Sequence, residues 1–307
     1  MFRTILVPLD GSPFAEAALP SALRLVRRAP GELHLVRAHQ PAAALVGMGE
    51  LPVPTTALDP ELKQREASYL DETVIRLREG NQSPVEARLV DGLAGPAVCE
   101  EAARVKADLV VMATHGRGAM GRLWLGSVAN YVIRTATLPV LLVRPGKAGE
   151  TPDLPVPTGI LVALDFSTHA EAVLEPVVAM AQLIEAEVTL LHVLEPFYAP
   201  EPAVPFPMLQ DATITEVRRA DAQSRLDDIA KRLRARGLDV STRVVIGANA
   251  AGSLLGTLQD RRFGLLAMTT HGAGGLRRLL LGSVADKVIR ATTKPVLVFR
   301  PLPAAQH

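Results

Sequence analysis

One cysteine among 307 residues, Cys99, leaves no partner for an intrachain disulfide and no set for a cysteine-based zinc cluster. The cytoplasm is the default compartment for such a chain. Neither sign of charge is in surplus, with 33 Lys and Arg against 32 Asp and Glu and a net charge of +1. The basic field that drives general nucleic-acid binding is therefore missing. No uninterrupted apolar stretch is long enough to span a bilayer, which argues against a membrane partner. The opening MFRTILVPLDGS carries only a short apolar run, stopped by a proline and an aspartate, and reads as a first strand and not as a signal peptide. No lysine follows the glycine-rich segments, so the G-x4-G-K-(S/T) loop of common ATPases is absent. Gly116, Gly118 and Gly121 match a dinucleotide G-x-G-x-x-G fingerprint, but no acidic residue stands about twenty positions on, and Arg277 breaks the match in the second copy.

What the chain does contain, it contains twice. Residues 114–145 read THGRGAMGRLWLGSVANYVIRTATLPVLLVRP, and residues 270–301 read THGAGGLRRLLLGSVADKVIRATTKPVLVFRP. His115 and His271 are 156 residues apart, as are Pro139 and Pro295, while ILVPLDGS with Asp10 is answered by ILVALDFS with Asp165 at a spacing of 155. The duplication covers nearly the whole chain. It predicts two domains, 1–146 and 158–307, joined by a linker at 147–157 that is rich in Pro, Gly and polar residues.

Within each copy the hydrophobic pattern alternates between strand and helix. In the first, strands are predicted at Ile5–Leu9, Leu33–Ala38, Val85–Val90, Asp108–Ala113 and Pro139–Arg144. Between them fall a helix with apolar positions Ala15, Ala18, Leu19, Ala22, Leu23 and Val26, a charged helix over Asp59–Gly80, and helices over Pro96–Arg104 and Ser127–Thr137. Such alternation requires crossover connections, so the fold class is α/β: two tandem, doubly wound, open five-stranded parallel sheets. Proline-rich connections, through Pro41, Pro52 and Pro54 and again through Pro196 to Pro207, read as surface segments.

The chemistry concentrates after the fourth strand of each copy. An apolar run, Leu109–Met112 or Leu265–Met268, opens into glycines, and Gly126-Ser127-Val128 or Gly282-Ser283-Val284 then starts a helix with its serine as N-cap. Unpaired N–H groups and the positive end of the helix dipole suit a phosphate there. Asp10 and Asp165 follow first strands, and ligands of open parallel sheets bind beyond such strand ends. Each aspartate either meets a nucleotide or only caps the helix near Ser12 or Ser167; the glycine loop on the neighbouring strand favours the first.

These motifs resemble the nucleotide-binding branch of the universal stress protein family, whose signature is G-x2-G-x9-G-(S/T). Gly116 with Gly126-Ser127 and Gly272 with Gly282-Ser283 keep the second and third elements, while Ala113 and Thr269 hold the first glycine's place. The resemblance runs from Ile5 to Arg300. It implies an adenine nucleotide alpha hydrolase-like, Rossmann-like fold and ATP, with Mg2+, bound around Asp10, Ala38, Ala113, Gly116, Arg117, Gly126, Ser127 and Val128 in the first copy. In the second it implies Asp165, Val193, Thr269, Gly272, Ala273, Gly282, Ser283 and Val284. It also implies last strands, Pro139–Arg144 and Pro295–Arg300, that pair within the chain as a pseudo-dimer, with other surfaces left for a homodimer or an unidentified protein partner.

No catalytic residue and no protein metal ligand set emerges. Ser127 and Ser283 have no visible base, His115 and His271 read as loop-shaping, and Cys99 reads as a buried small side chain on a helix. Arg122 and Arg278, matched across the copies, either meet phosphate or stay solvated, and Trp124 reads as packing. The resemblance therefore implies an ATP-binding stress-response protein that acts as a nucleotide-dependent binding and signalling module. A slow ATPase or nucleotidyl-transfer enzyme and a nucleotide-free stress protein remain alternatives.

Overall fold

The computed structural model describes residues 2–41, 55–114, 125–145, 159–196, 208–270 and 281–301. The chain divides into two compact units. The first half runs β1 (Thr4–Pro8), α1 (Pro13–Glu16), α2 (Leu19–Arg28), β2 (Glu32–His39), α3 (Thr55–Arg78), β3 (Val85–Asp91), α4 (Ala94–Arg104), β4 (Leu109–Ala113), α5 (Ser127–Thr135) and β5 (Val140–Val143). Its strands lie in the order β3-β2-β1-β4-β5, all in parallel. The second half runs β6 (Gly159–Ala163), α6 (Thr168–Glu171), α7 (Leu174–Ile184), β7 (Val188–Leu194), α8 (Met208–Arg234), β8 (Val240–Ile246), α9 (Ala250–Leu258), β9 (Phe263–Thr269), α10 (Ser283–Ala291) and β10 (Val296–Phe299). Here the order is β8-β7-β6-β9-β10; β6, β7, β8 and β9 pair in parallel, and Leu266 N–H donates to the Pro295 carbonyl where β9 meets β10. The doubly wound α/β architecture read from the alternation is thus the fold of each half.

Burial explains why these runs are strands. β4 and β9 are buried along their whole lengths, as central strands covered by helices on both faces must be. The outer strands β3 and β8 share one alternating pattern of buried and exposed positions, with Glu86 and Arg88 or Ser241 and Arg243 among the outward residues.

Three local expectations are corrected. The helix read through Ala15 to Val26 is two, α1 and α2, because Pro20 has no N–H to donate to the Glu16 carbonyl and its ring clashes there. In α2 Leu25 joins Ala22 and Val26 as fully buried, while Leu23 is only half-buried. Asp108 stands outside β4, and its carboxylate accepts the backbone N–H groups of Arg3 and Thr4 at 2.9 and 3.0 Å, tying the start of β1 beside β4.

Candidate functional site

The strand order reverses between β1 and β4 in the first half and between β6 and β9 in the second, so each half has a crevice at the carboxyl edge of those strands. Asp10 enters this edge two residues beyond β1. Its Oδ1 accepts the Ser12 N–H at 2.8 Å and the Ser12 hydroxyl at 2.6 Å, and Ser12 Oγ in turn accepts the Ala15 N–H. Asp165 does the same with Ser167, at 3.0 and 2.6 Å, and Ser167 accepts from Ala170. The serines are the N-caps, and the aspartates hold the serines. Asp10 is half-buried and Asp165 exposed, so both carboxylates sit at the crevice surface.

Across the crevice lies the start of α5 or α10. Gly126 N–H donates to the Thr114 carbonyl at 2.8 Å, and Gly282 N–H to the Thr270 carbonyl at 2.8 Å. One hydrogen bond in each half therefore brings the helix start back to the end of the strand. The expected serine caps are corrected: the N-cap residues are Gly126 and Gly282, with ψ of 150° and 147°, and among the described residues no side-chain hydrogen bond caps either helix. Ser127 and Ser283 stand one residue inside, in helical backbone, because the extended conformation an N-cap needs falls on the glycine. The first intrahelical bonds are Asn130 N–H to Gly126 and Asp286 N–H to Gly282. The amides of Ser127 and Val128, or Ser283 and Val284, precede those bonds and have no acceptor within the helix. Ser127, Ser283 and Val284 are exposed.

Backbone parity places Ala38 and Val193. The Val36 carbonyl accepts the Leu9 N–H, so the polar groups of Val36 and of Ala38, two residues on, aim to the β1 side of β2. The last paired residue of β1 is Pro8, opposite Val36, and the chain then turns away through Gly11. Ala38 therefore presents its backbone to the crevice. Val193 repeats this two residues beyond Leu191, whose carbonyl accepts the Leu164 N–H. Ala113 and Thr269 end β4 and β9 as buried residues, 7% and 6% exposed. A β-branched threonine fits such a strand position. Gly116, Arg117, Gly272 and Ala273 lie outside the described residues, as do His115, His271, Arg122, Arg278, Trp124 and the linker.

Two side-chain clusters at these edges went unread in the sequence. In the first half Arg37 and His39 are nearly buried on β2, and both meet Glu66 of α3, at 2.8 and 2.7 Å. Beside them Tyr69 donates to Glu16, and burial first, then that carboxylate, pushes its hydroxyl well above its ordinary pKa. In the second half the turn residue Phe166 stacks on His192 of β7 with ring centroids 4.2 Å apart. The visible signal was the mismatch of Gly11 with Phe166 in otherwise parallel motifs. Cys99 is half-buried, a little more open than expected, and burial followed by Glu100 raises its thiol pKa, which suppresses the reactive thiolate. Among the described residues no cluster of three or more His, Cys, Asp or Glu is placed to hold a metal. Among them, too, no helix is long and apolar enough to cross a membrane.

A duplicated, doubly wound sheet with a glycine-started helix and a strand-end aspartate at each switch point defines a class: tandem α/β proteins with one edge crevice per half. The universal stress protein family model matches residues 1–144 and again 158–300, and the chain belongs to that family. A universal stress protein of Thermus aquaticus is 34% identical over 144 residues, covering 47% of this chain and all of that protein. One from Mycobacterium bovis is 30% identical over 198 residues, and the match spans 64% of this chain and 62% of that protein. One from Mycobacterium tuberculosis is 26% identical over 306 residues, 96% of each. The crystal structure of a universal stress protein from Archaeoglobus fulgidus superposes with a TM-score of 0.70 over 97% of this chain and 98% of its own, at 19% identity, which shows a shared fold.

Proposed function

We propose that each half binds an adenine nucleotide, ATP with Mg2+, and that the chain acts in the cytoplasm as a nucleotide-dependent binding and signalling module of a stress response. Its domains on this reading are 1–146 and 158–307. The observation that carries the reading is a coincidence repeated in both halves. The glycine-started helix is pinned to the strand end by the Gly126 or Gly282 hydrogen bond, at the same edge as the Asp10 or Asp165 turn and the outward backbone of Ala38 or Val193. The amides of Ser127 and Val128, or Ser283 and Val284, would hold phosphate oxygens, a geometry that suits anions. Gly116 with Arg117, and Gly272 with Ala273, would complete that cradle. Asp10 with Ala38, or Asp165 with Val193, would meet ribose and adenine. Magnesium would take most of its oxygen ligands from the phosphates and water.

A ligand that binds only the folded state raises its melting temperature, so millimolar Mg-ATP should shift the melt upward. Mass spectrometry of small molecules released on denaturation should find a nucleotide. No shift together with no retained nucleotide would remove the reading. Steady release of ADP or AMP from Mg-ATP would instead move it to a slow ATPase or nucleotidyl-transfer enzyme.

A further inference from the structure

The turn after each strand-end aspartate has the same left-handed backbone and a different residue. Gly11 has φ 79°, and its counterpart Phe166 has φ 64°. Glycine enters that region freely, whereas a phenylalanine there crowds its Cβ against the backbone and persists only if its surroundings hold it. Three contacts do so. The ring stacks on the His192 imidazole, 4.2 Å between centroids and 29° between planes. The Arg225 guanidinium carbon lies 4.2 Å from the same ring centroid, and Arg225 Nη2 donates to the Phe166 carbonyl at 3.5 Å.

His192 also grips the other side of the turn. Its Nδ1 lies 2.8 Å from the Leu164 carbonyl oxygen, which can only accept, so the proton sits on Nδ1. One side chain therefore holds residues 164 and 166, the two neighbours of Asp165. In the first half the matched residue is Arg37, which turns to Glu66 on α3 instead. The charged groups facing His192 are Asp165 on the turn and Arg218 and Arg225 on α8. Burial keeps the imidazole pKa below its ordinary 6.5 against the opposing pull of the Leu164 carbonyl and Asp165, and the two arginines add to the lowering, so the stacked ring is neutral at pH 7.

We propose that His192 is a positioning residue for the second site: acting through Leu164 and Phe166, it fixes the Asp165 carboxylate at the sheet edge, a support the first site does without. The proposal rests on the nucleotide reading for the ligand, while the positioning itself is measured separately.

The test is a cycle in the full chain of His192→Ala, His192→Asn, Phe166→Gly and Phe166→Gly with His192→Ala. The first readout is hydrogen exchange of the Ser167 amide, which donates to Asp165 Oδ1 at 3.0 Å. The second is Mg-ATP titration with the first site disabled by Gly126→Asp. His192→Ala should speed exchange and weaken Mg-ATP binding, each about tenfold, the size of one such hydrogen bond. His192→Asn, which keeps a donor near the Nδ1 position, should recover most of both. Phe166→Gly removes the stack and leaves the Leu164 hydrogen bond, so adding His192→Ala to it should still move both readouts, by clearly less than in the wild-type background. By NMR, His192 should titrate below 6.5, and lower still in Asp165→Asn. An unaltered Ser167 exchange in His192→Ala, an equal loss in the Phe166→Gly background, or a His192 titration unmoved by Asp165→Asn overturns the proposal. If the exchange cycle behaves as expected while wild-type protein binds no Mg-ATP, the nucleotide reading falls and the positioning stands.

Discussion

The two halves build the same edge from different materials. Beside Ala38 the first half buries charge: Arg37 and His39 converge on Glu66, with the guanidinium of Arg37 over the Tyr69 ring at 5.3 Å. Beside Val193 the second half has an aromatic stack of Phe166 and His192 with Arg225. The counterpart of His39 is Leu194, that of Glu66 is Ala222, and that of Tyr69 is Arg225. Backbone geometry survives all of these exchanges, down to the 2.6 Å hydroxyl bond from Ser12 to Asp10 and from Ser167 to Asp165. The edge is specified by backbone and short polar side chains, and what packs behind it has diverged between the halves.

Binding offers the sharpest test of how far that divergence reaches. Gly126→Asp and Gly282→Asp each place a carboxylate where phosphate would sit, and the same carboxylate is a good N-cap. Each should weaken Mg-ATP at its own site about 100-fold, the loss of two charge-assisted hydrogen bonds, without lowering the melting temperature of the ligand-free protein. The first site should be the tighter, since Arg117 can pair with phosphate and Ala273 cannot. Titration calorimetry finding equal affinities at the two sites, each measured with the other disabled, would erase this asymmetry.

A smaller difference should appear in acid. Glu101 of α4 is 4% exposed, and hydrogen bonds from Arg104, reinforced by Arg88, hold its carboxyl below the ordinary 4.5. Its counterpart in α9 is Thr257, which donates to the Ser253 carbonyl and does not titrate. A depressed carboxylate contributes fully above its unfolded pKa and loses that contribution as pH falls through its folded value. The first half should therefore begin to weaken below about pH 4.5 in a way that Glu101→Gln abolishes. At pH 7 the same variant should cost about 2 kcal/mol. Denaturant unfolding followed by exchange in each half measures both, and an acid response that Glu101→Gln leaves intact would assign the lability elsewhere.

The smallest expected effect is at the turn. Gly11→Ala puts a Cβ at φ 79° with no stack to hold it and should cost about 1 kcal/mol. Phe166→Gly gives up a stack and relieves a strained backbone, terms of similar size, and should change stability by less than about 0.5 kcal/mol. If Gly11→Ala proves neutral in urea titrations, the left-handed turn is not what separates the halves.

Much of this fold could be read before any coordinates, because parallel strands covered on both faces leave continuous apolar runs and their helices leave periodic ones. The break between α1 and α2 was hidden, since Ala15, Ala18 and Ala22 keep helical spacing across it. The cap at α5 was misplaced by one residue because serine is the better capping side chain, yet the backbone gives that position to Gly126. The Arg37, His39 and Glu66 cluster was illegible for another reason. Its members lie 27 and 29 residues apart, and only the rotation of α3 on the sheet decides which of its many charges turns inward.

The hydrogen bond from Gly126 N–H to the Thr114 carbonyl has a consequence in polymer terms. It ties the start of α5 directly to the end of β4, so the position of that helix does not depend on how many residues connect the two. Ring closure grows costlier only slowly, by about 0.6 kcal/mol for each doubling of length. In both halves the sequence between the two anchors can thus be exchanged, lengthened or grafted while the helix start stays where it is. A chain carrying two such pinned helix starts can vary the sequence at one edge and keep the other as it was.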